Sequence, residues 1–214
     1  MLDTRDTLSD DQSTVAYVAL YRRDVPVAGT RPSLAKSFHW ALALTKASKS
    51  IADGAYVYQI NNPRTGAWEH CVPAQPLSPI EQSSNFVVAI RLGACKMSIE
   101  HVRQFCASYP ATPDDGISYE WHKEWSCAMW LITLLGDLAF ACDVDGIGAA
   151  ILKSPRYYGR ITPVNADQNR IFYDNIYHIG YRVTGSNSAN SLVRYVGGVE
   201  VVEYADHLRW MSDG

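Results

Sequence analysis

Two residues have types suited to act together on a substrate: His39, in Phe38-His-Trp-Ala-Leu-Ala-Leu44, and Cys127, in Ser126-Cys-Ala-Met-Trp-Leu131. A thiol is nucleophilic as its thiolate. A helix N-terminus together with a nearby imidazolium lowers its pKa from about 8.5 into the range useful at neutral pH. A Cys at the start of a helix, facing a His on a strand, is the arrangement this chemistry requires. Cys127 also fits an apolar helical stripe, so the residue reads equally as a core cysteine. His70-Cys71 is a competing pair. Neighbours in an extended segment point to opposite sides, and no helix dipole acts on Cys71, which leaves His70 as a groove-lining residue. His178, in Tyr177-His-Ile-Gly-Tyr181, reads as a strand histidine and as an alternative base to His39.

The elements that must position these groups follow from pattern. Thr14–Tyr21 has the β-branched and aromatic content of a buried strand, and Arg22–Pro32 reads as a loop. Phe38–Leu44 and Ala55–Ile60 are expected as adjacent antiparallel strands, with Asp53-Gly54 as a hairpin signal. Four prolines between Asn61 and Ser83 predict a long ordered loop. Asn85–Leu92 predicts a strand, and Ser98–Ala107 a helix with Ser98 as N-cap. Cys127, Trp130, Leu131, Leu134, Leu135 and Leu138 share the spacing of one buried helical face. Ser126 and Ser118 are both possible starts for that helix. A start within two residues of Ser126 places Cys127 in the first turn. Ile171–Tyr173, Tyr177–Val183, Leu192–Val196 and Val199–Tyr204 are expected as strands, giving a strand-rich final third.

Composition excludes several classes. The 214 residues are 47% hydrophobic and 19% charged, enough apolar material for a sizeable core and too little charge for a disordered chain. The expectation is a disordered leader over 1–13 and a single α+β domain over 14–214. With 19 Lys and Arg against 22 Asp and Glu, and no basic run longer than Arg22-Arg23, a nucleic-acid partner is not expected. No apolar stretch approaches the roughly 20 residues of a membrane span, and the acidic N-terminus lacks a secretory pattern, so a cytosolic protein is expected. Five cysteines without a CxxC pair fit neither a disulfide framework nor a zinc ribbon. Asp143-Val-Asp-Gly146 lacks the later ligands of a calcium loop, and Gly146-Ile-Gly148 lacks the dinucleotide fingerprint. No metal and no cofactor are expected. Trp121, Trp125, Tyr157 and Tyr158 stand in or beside loops and suit the lining of an apolar pocket.

The segments Phe38-His39-Trp40-Ala-Leu and Ser126-Cys127-Ala-Met-Trp130-Leu, with the His on a strand before a Cys that opens an apolar helix, resemble the circularly permuted branch of the NlpC/P60 superfamily of papain-like thiol enzymes. They are also similar to small fungal proteins of that fold. The resemblance covers about residues 14–140. It implies an antiparallel sheet packed on the Cys-bearing helix, with Cys127 as nucleophile, His39 as general base, and a polar residue on the next strand, Gln59 or Asn61, orienting the imidazole. Trp40 would then lie beside the substrate. The function expected is thiol-dependent acyl transfer on a small-molecule or peptide-like amide or ester. A second expectation, from a different class, is a non-covalent binding or cyclase-type protein that folds a small molecule in an aromatic-lined groove, with Cys127 in its core.

Overall fold

The continuous apolar run Val15–Tyr21 lies in the middle of a sheet. In the computed structural model, which describes residues 13–23, 38–62, 67–71, 84–112, 125–142, 163–185 and 193–206, strand β1 (Thr14–Arg22) is flanked on both sides. It pairs antiparallel with β2 (Phe38–Lys46) along its whole length and with β5 (Phe86–Cys95). Strand β3 (Tyr56–Asn61) pairs antiparallel with β2, and short β4 (Glu69–Cys71) adds to its outer edge. On the other side, β7 (Val199–Glu203) runs parallel to β5 and carries β6 (Val193–Val196) as a hairpin. The order is β4-β3-β2-β1-β5-β7-β6. The architecture is α+β with a mixed seven-stranded sheet.

Alternation sorts the strand residues onto two faces. Val18, Leu20, Trp40, Leu42, Leu44, Tyr58, Ile60, Val88 and Ile90 share one buried cluster with three helices. These are α1 (Ile99–Ser108), α2 (Cys127–Cys142) and α3 (Pro163–Gly185). The opposite face carries small residues, Ala19, Ala41, Ala43 and Ala89, among Val15, Tyr17, Val57 and Val201. Helix α1 opens as its sequence dictates, with the Ser98 side chain accepting from His101 N–H. Helix α2 is more deeply placed than its single apolar stripe predicts. Every residue from Cys127 to Leu135 is buried, because Ala128, Met129 and Ile132 fill the positions between the stripe residues. Thr133, the polar exception, satisfies its hydroxyl on Met129 O at 2.8 Å.

Several sequence expectations are corrected here. Ile171–Tyr173 and Tyr177–Val183 are not strands but parts of α3, and among the described residues of the final third this helix is followed by the β6–β7 hairpin. Asn169, Phe172, Tyr173, Ile176 and Ile179 are buried at helical spacing, while Ile171 and Tyr181 stand exposed and blur that period in the sequence. His178 is therefore an exposed helix residue, far from the strand histidine expected. The proline-rich stretch after Asn61 contributes β4, which pairs Gln59 with Cys71 and Ile60 with His70. The β2–β3 connection is a capped turn rather than a tight hairpin: Ser50 and Asp53 exchange a capping box, and Gly54 adopts φ 113°, a conformation that favours glycine. The expected leader lies, for residues 1–12, outside the described residues. Among the described residues, no helix is long and apolar enough to cross a membrane.

Candidate active site

The helix start decides what Cys127 can do. Ser126 is its N-cap: its side-chain oxygen accepts from Met129 N–H at 3.3 Å, and its carbonyl accepts from Trp130 N–H at 2.9 Å. Cys127 is therefore the first residue of α2, as the Ser126 alternative predicts. First-turn N–H groups have no intrahelical acceptor, and the helix dipole places partial positive charge there. Both effects favour a negative sulfur and a nearby oxyanion.

The sheet supplies the rest. The β2–β3 ladder ends at Leu42↔Tyr58, so the strands part beyond it and the helix start sits at the opening. The next outward-facing N–H of β2, that of Trp40, donates to Cys127 Sγ at 3.4 Å. Arg23, just past the end of β1, donates through Nη2 to the same sulfur at 3.1 Å. Across the opening, His39 Nε2 lies 2.7 Å from Gln59 Oε1. With the amide oxygen as acceptor, Nε2 carries a proton, which leaves Nδ1 for the sulfur side.

These contacts set the thiol's acidity. Burial pushes Cys127 up, but hydrogen bonding from His39, its charge, the Arg23 guanidinium and the Trp40 N–H outweigh it and bring the pKa down to about 7. The other thiols go the opposite way. Burial raises Cys106 to about 12, and burial with the Glu69 carboxylate raises Cys71. Tyr173, from α3, stacks on Trp40 at 5.3 Å, and burial with the Cys127 charge holds its phenol up at about 12. It stands beside the sulfur as a neutral hydroxyl.

The remaining expected residues divide sharply. Of the two candidates for orienting the imidazole, Gln59 holds His39, whereas Asn61 is exposed at the end of β3, opposite Glu69. The Trp40 ring is only 2% exposed and packs on Tyr173, so what Trp40 brings to the site is its backbone N–H rather than a surface for substrate. His70 faces the helices: Nε2 bonds the Tyr109 carbonyl, and the ring meets Trp130 edge-on. It is a packing residue, and Cys71 points to the other face beside Gln59, as the extended geometry predicts. Trp125 precedes Ser126, is half-buried, and donates its indole N–H to Ala111 O at 2.9 Å. Trp121, Tyr157 and Tyr158 lie outside the described residues. Arg23 was not anticipated; its only sequence signal was a basic residue directly after a buried strand. Tyr21 and Phe86 also line the approach to His39. Tyr21 sits opposite His39 in the β1–β2 register with ring centroids 6.5 Å apart, and Phe86 meets Tyr21 edge-on.

Among the described residues, no group of three His, Cys, Asp or Glu side chains is placed to hold a metal ion. In comparison with known proteins, no family model, no curated protein and no solved structure matches this chain.

Proposed function

We propose that the protein is a thiol-dependent acyl-transfer enzyme of papain-like kind, related to the permuted NlpC/P60 branch that its His39 and Cys127 segments resemble. Cys127 attacks the carbonyl carbon of an amide or ester, forming the S–C bond while its proton passes to His39. The negative charge that develops on the carbonyl oxygen is met by N–H groups of the α2 first turn. Collapse breaks the C–N or C–O bond, and His39 returns the proton to the leaving amine or alcohol. The thioester is then opened by water, an amine or a carbon nucleophile.

The observation that carries this reading is the setting of one sulfur. Cys127 Sγ is at a capped helix start, with Arg23 and Trp40 N–H donating to it and its pKa brought to about 7, while Cys71 and Cys106 are raised. Gln59 behind His39 supports the same assignment, as an acceptor that fixes the tautomer of the base. A cytosolic setting, which keeps thiols reduced, would leave Cys127 available as a nucleophile. The sulfur's own seclusion, with Cys127 1% exposed, favours the second reading, a non-covalent binding or cyclase-type protein with a core cysteine.

The two readings separate in a single trapping experiment. Treated with p-nitrophenyl acetate at pH 7, the enzyme releases a burst of one equivalent of p-nitrophenolate and carries an acetyl group on the Cys127 peptide by mass spectrometry. Cys127→Ala shows neither. A wild-type protein acetylated at random thiols without a burst leaves the binding reading standing.

A further inference from the structure

Arg23 is a cation aimed at the reacting atom, and among the described residues no carboxylate answers it. Among the described residues the ion pairs are Arg91–Glu203, Arg170–Asp174 and Arg194–Asp206, and none includes Arg23. The side chain is half-buried, where an unanswered charge is costly. Nη2 spends one N–H on Cys127 Sγ at 3.1 Å, and a guanidinium offers five donors in a fixed fork. A planar fork at contact distance from a nucleophile reaches groups bonded to the carbon that the nucleophile attacks, and its geometry matches a carboxylate. On the other side of the site, Tyr21 and Phe86 beside His39 offer aromatic surface but no charge.

We infer that Arg23 is the anion-recognising residue of the site, selecting substrates that carry a carboxylate next to the reacting carbon and holding that carboxylate through the donors the sulfur leaves over. This rests on Cys127 being the reactive thiol, and it adds the class of substrate. The aromatic side accommodates the rest of the acyl group, and the fork takes the anion.

The test needs no knowledge of the natural substrate. Iodoacetate and iodoacetamide alkylate a thiolate by the same displacement, in which the S–C bond forms and iodide leaves. They differ in whether a carboxylate sits beside the attacked carbon. The ratio of their rates at the Cys127 peptide, followed by mass spectrometry, cancels the thiolate fraction and therefore any change in thiol acidity. Arg23→Gln is expected to lower the iodoacetate-to-iodoacetamide ratio about tenfold, the order a single charge pair supplies in a half-buried setting. Arg23→Lys, which keeps the charge and loses the fork, should recover part of it, and added sodium chloride should narrow the wild-type preference. A ratio unchanged in Arg23→Gln, with Cys127 still labelled quickly by iodoacetamide in the wild type, overturns the inference and leaves the thiol enzyme intact. A rate–pH midpoint for iodoacetamide labelling of wild-type Cys127 at or above about 8.5 removes the reading on which it rests. Circular dichroism of both variants checks that the fold is kept, and Arg23→Lys carries the test should Arg23→Gln unfold.

Discussion

The acidity of Cys127 makes a prediction that separates an activated thiol from a buried one. Iodoacetamide reacts with the thiolate, so the rate at Cys127 plotted against pH has its midpoint at the thiol pKa, expected at about 7. At pH 6.5 a thiol of that pKa is about one-quarter ionised, against about one-hundredth for an ordinary thiol near 8.5. The lower-pKa thiolate is intrinsically weaker, by about fivefold for that difference with a Brønsted slope near 0.45, so the net advantage at pH 6.5 is about fivefold. Because the sulfur is nearly covered, access scales the whole curve and leaves the midpoint unmoved, which makes the midpoint the quantity to read. His39→Ala removes a hydrogen bond and a charge from the sulfur and should move the midpoint upward. Each unit of rise lowers reactivity below the midpoint through about tenfold less thiolate. Digestion and mass spectrometry at each pH assign the rate to the Cys127 peptide. A wild-type midpoint at or above about 8.5, or one that His39→Ala leaves in place, refutes the reasoning from geometry to acidity.

The same depressed pKa is linked to folding: a group more acidic in the folded state contributes stability above its unfolded pKa and loses it as pH falls through the folded one. The stability of wild type relative to Cys127→Ala should therefore rise by about 1.5 kcal/mol between pH 7 and pH 9, read from urea unfolding, and be flat below pH 6. Gln59→Ala should slow Cys127 alkylation at pH 7 severalfold by freeing the imidazole, while Asn61→Ala, at an exposed strand end, should leave the rate unchanged; equal effects would remove Gln59 from the site. Gly180→Ala places a Cβ 2.7 Å from Leu20 Cδ1 and 2.9 Å from Phe38 Cε2. Both neighbours are buried, so a loss of about 1–3 kcal/mol from overpacking should exceed the gain of about 1 kcal/mol in helix propensity. A higher Tm for this variant would show that α3 has room to shift on the sheet.

What the sequence by itself determined is local. Ser98 and Ser126 precede apolar helical runs, and an N-cap needs only its own next three residues, so the starts of α1 and α2, and with them the place of Cys127, were readable without a fold. Strands β1, β2, β3 and β5 were equally legible, because a strand buried in a sheet writes its composition into a short continuous run. Helix α3 was not. Its β-branched and aromatic residues locally imitate strands, and only packing of Phe172, Tyr173, Ile176 and Ile179 against the sheet, with Ile171 and Tyr181 left outside, reveals the helical face. The tertiary structure alone decided the site's completion. Gln59 and Asn61 are two residues apart on one face of β3, and which of them reaches His39 depends on where the β2–β3 ladder stops. Arg23 lies 104 positions from Cys127, and its guanidinium meets the sulfur because β1 ends beside the start of α2. No spacing in the sequence encodes that meeting, since the distance between two strand or helix ends is fixed by how elements far apart in the chain pack, and not by the residues that separate them.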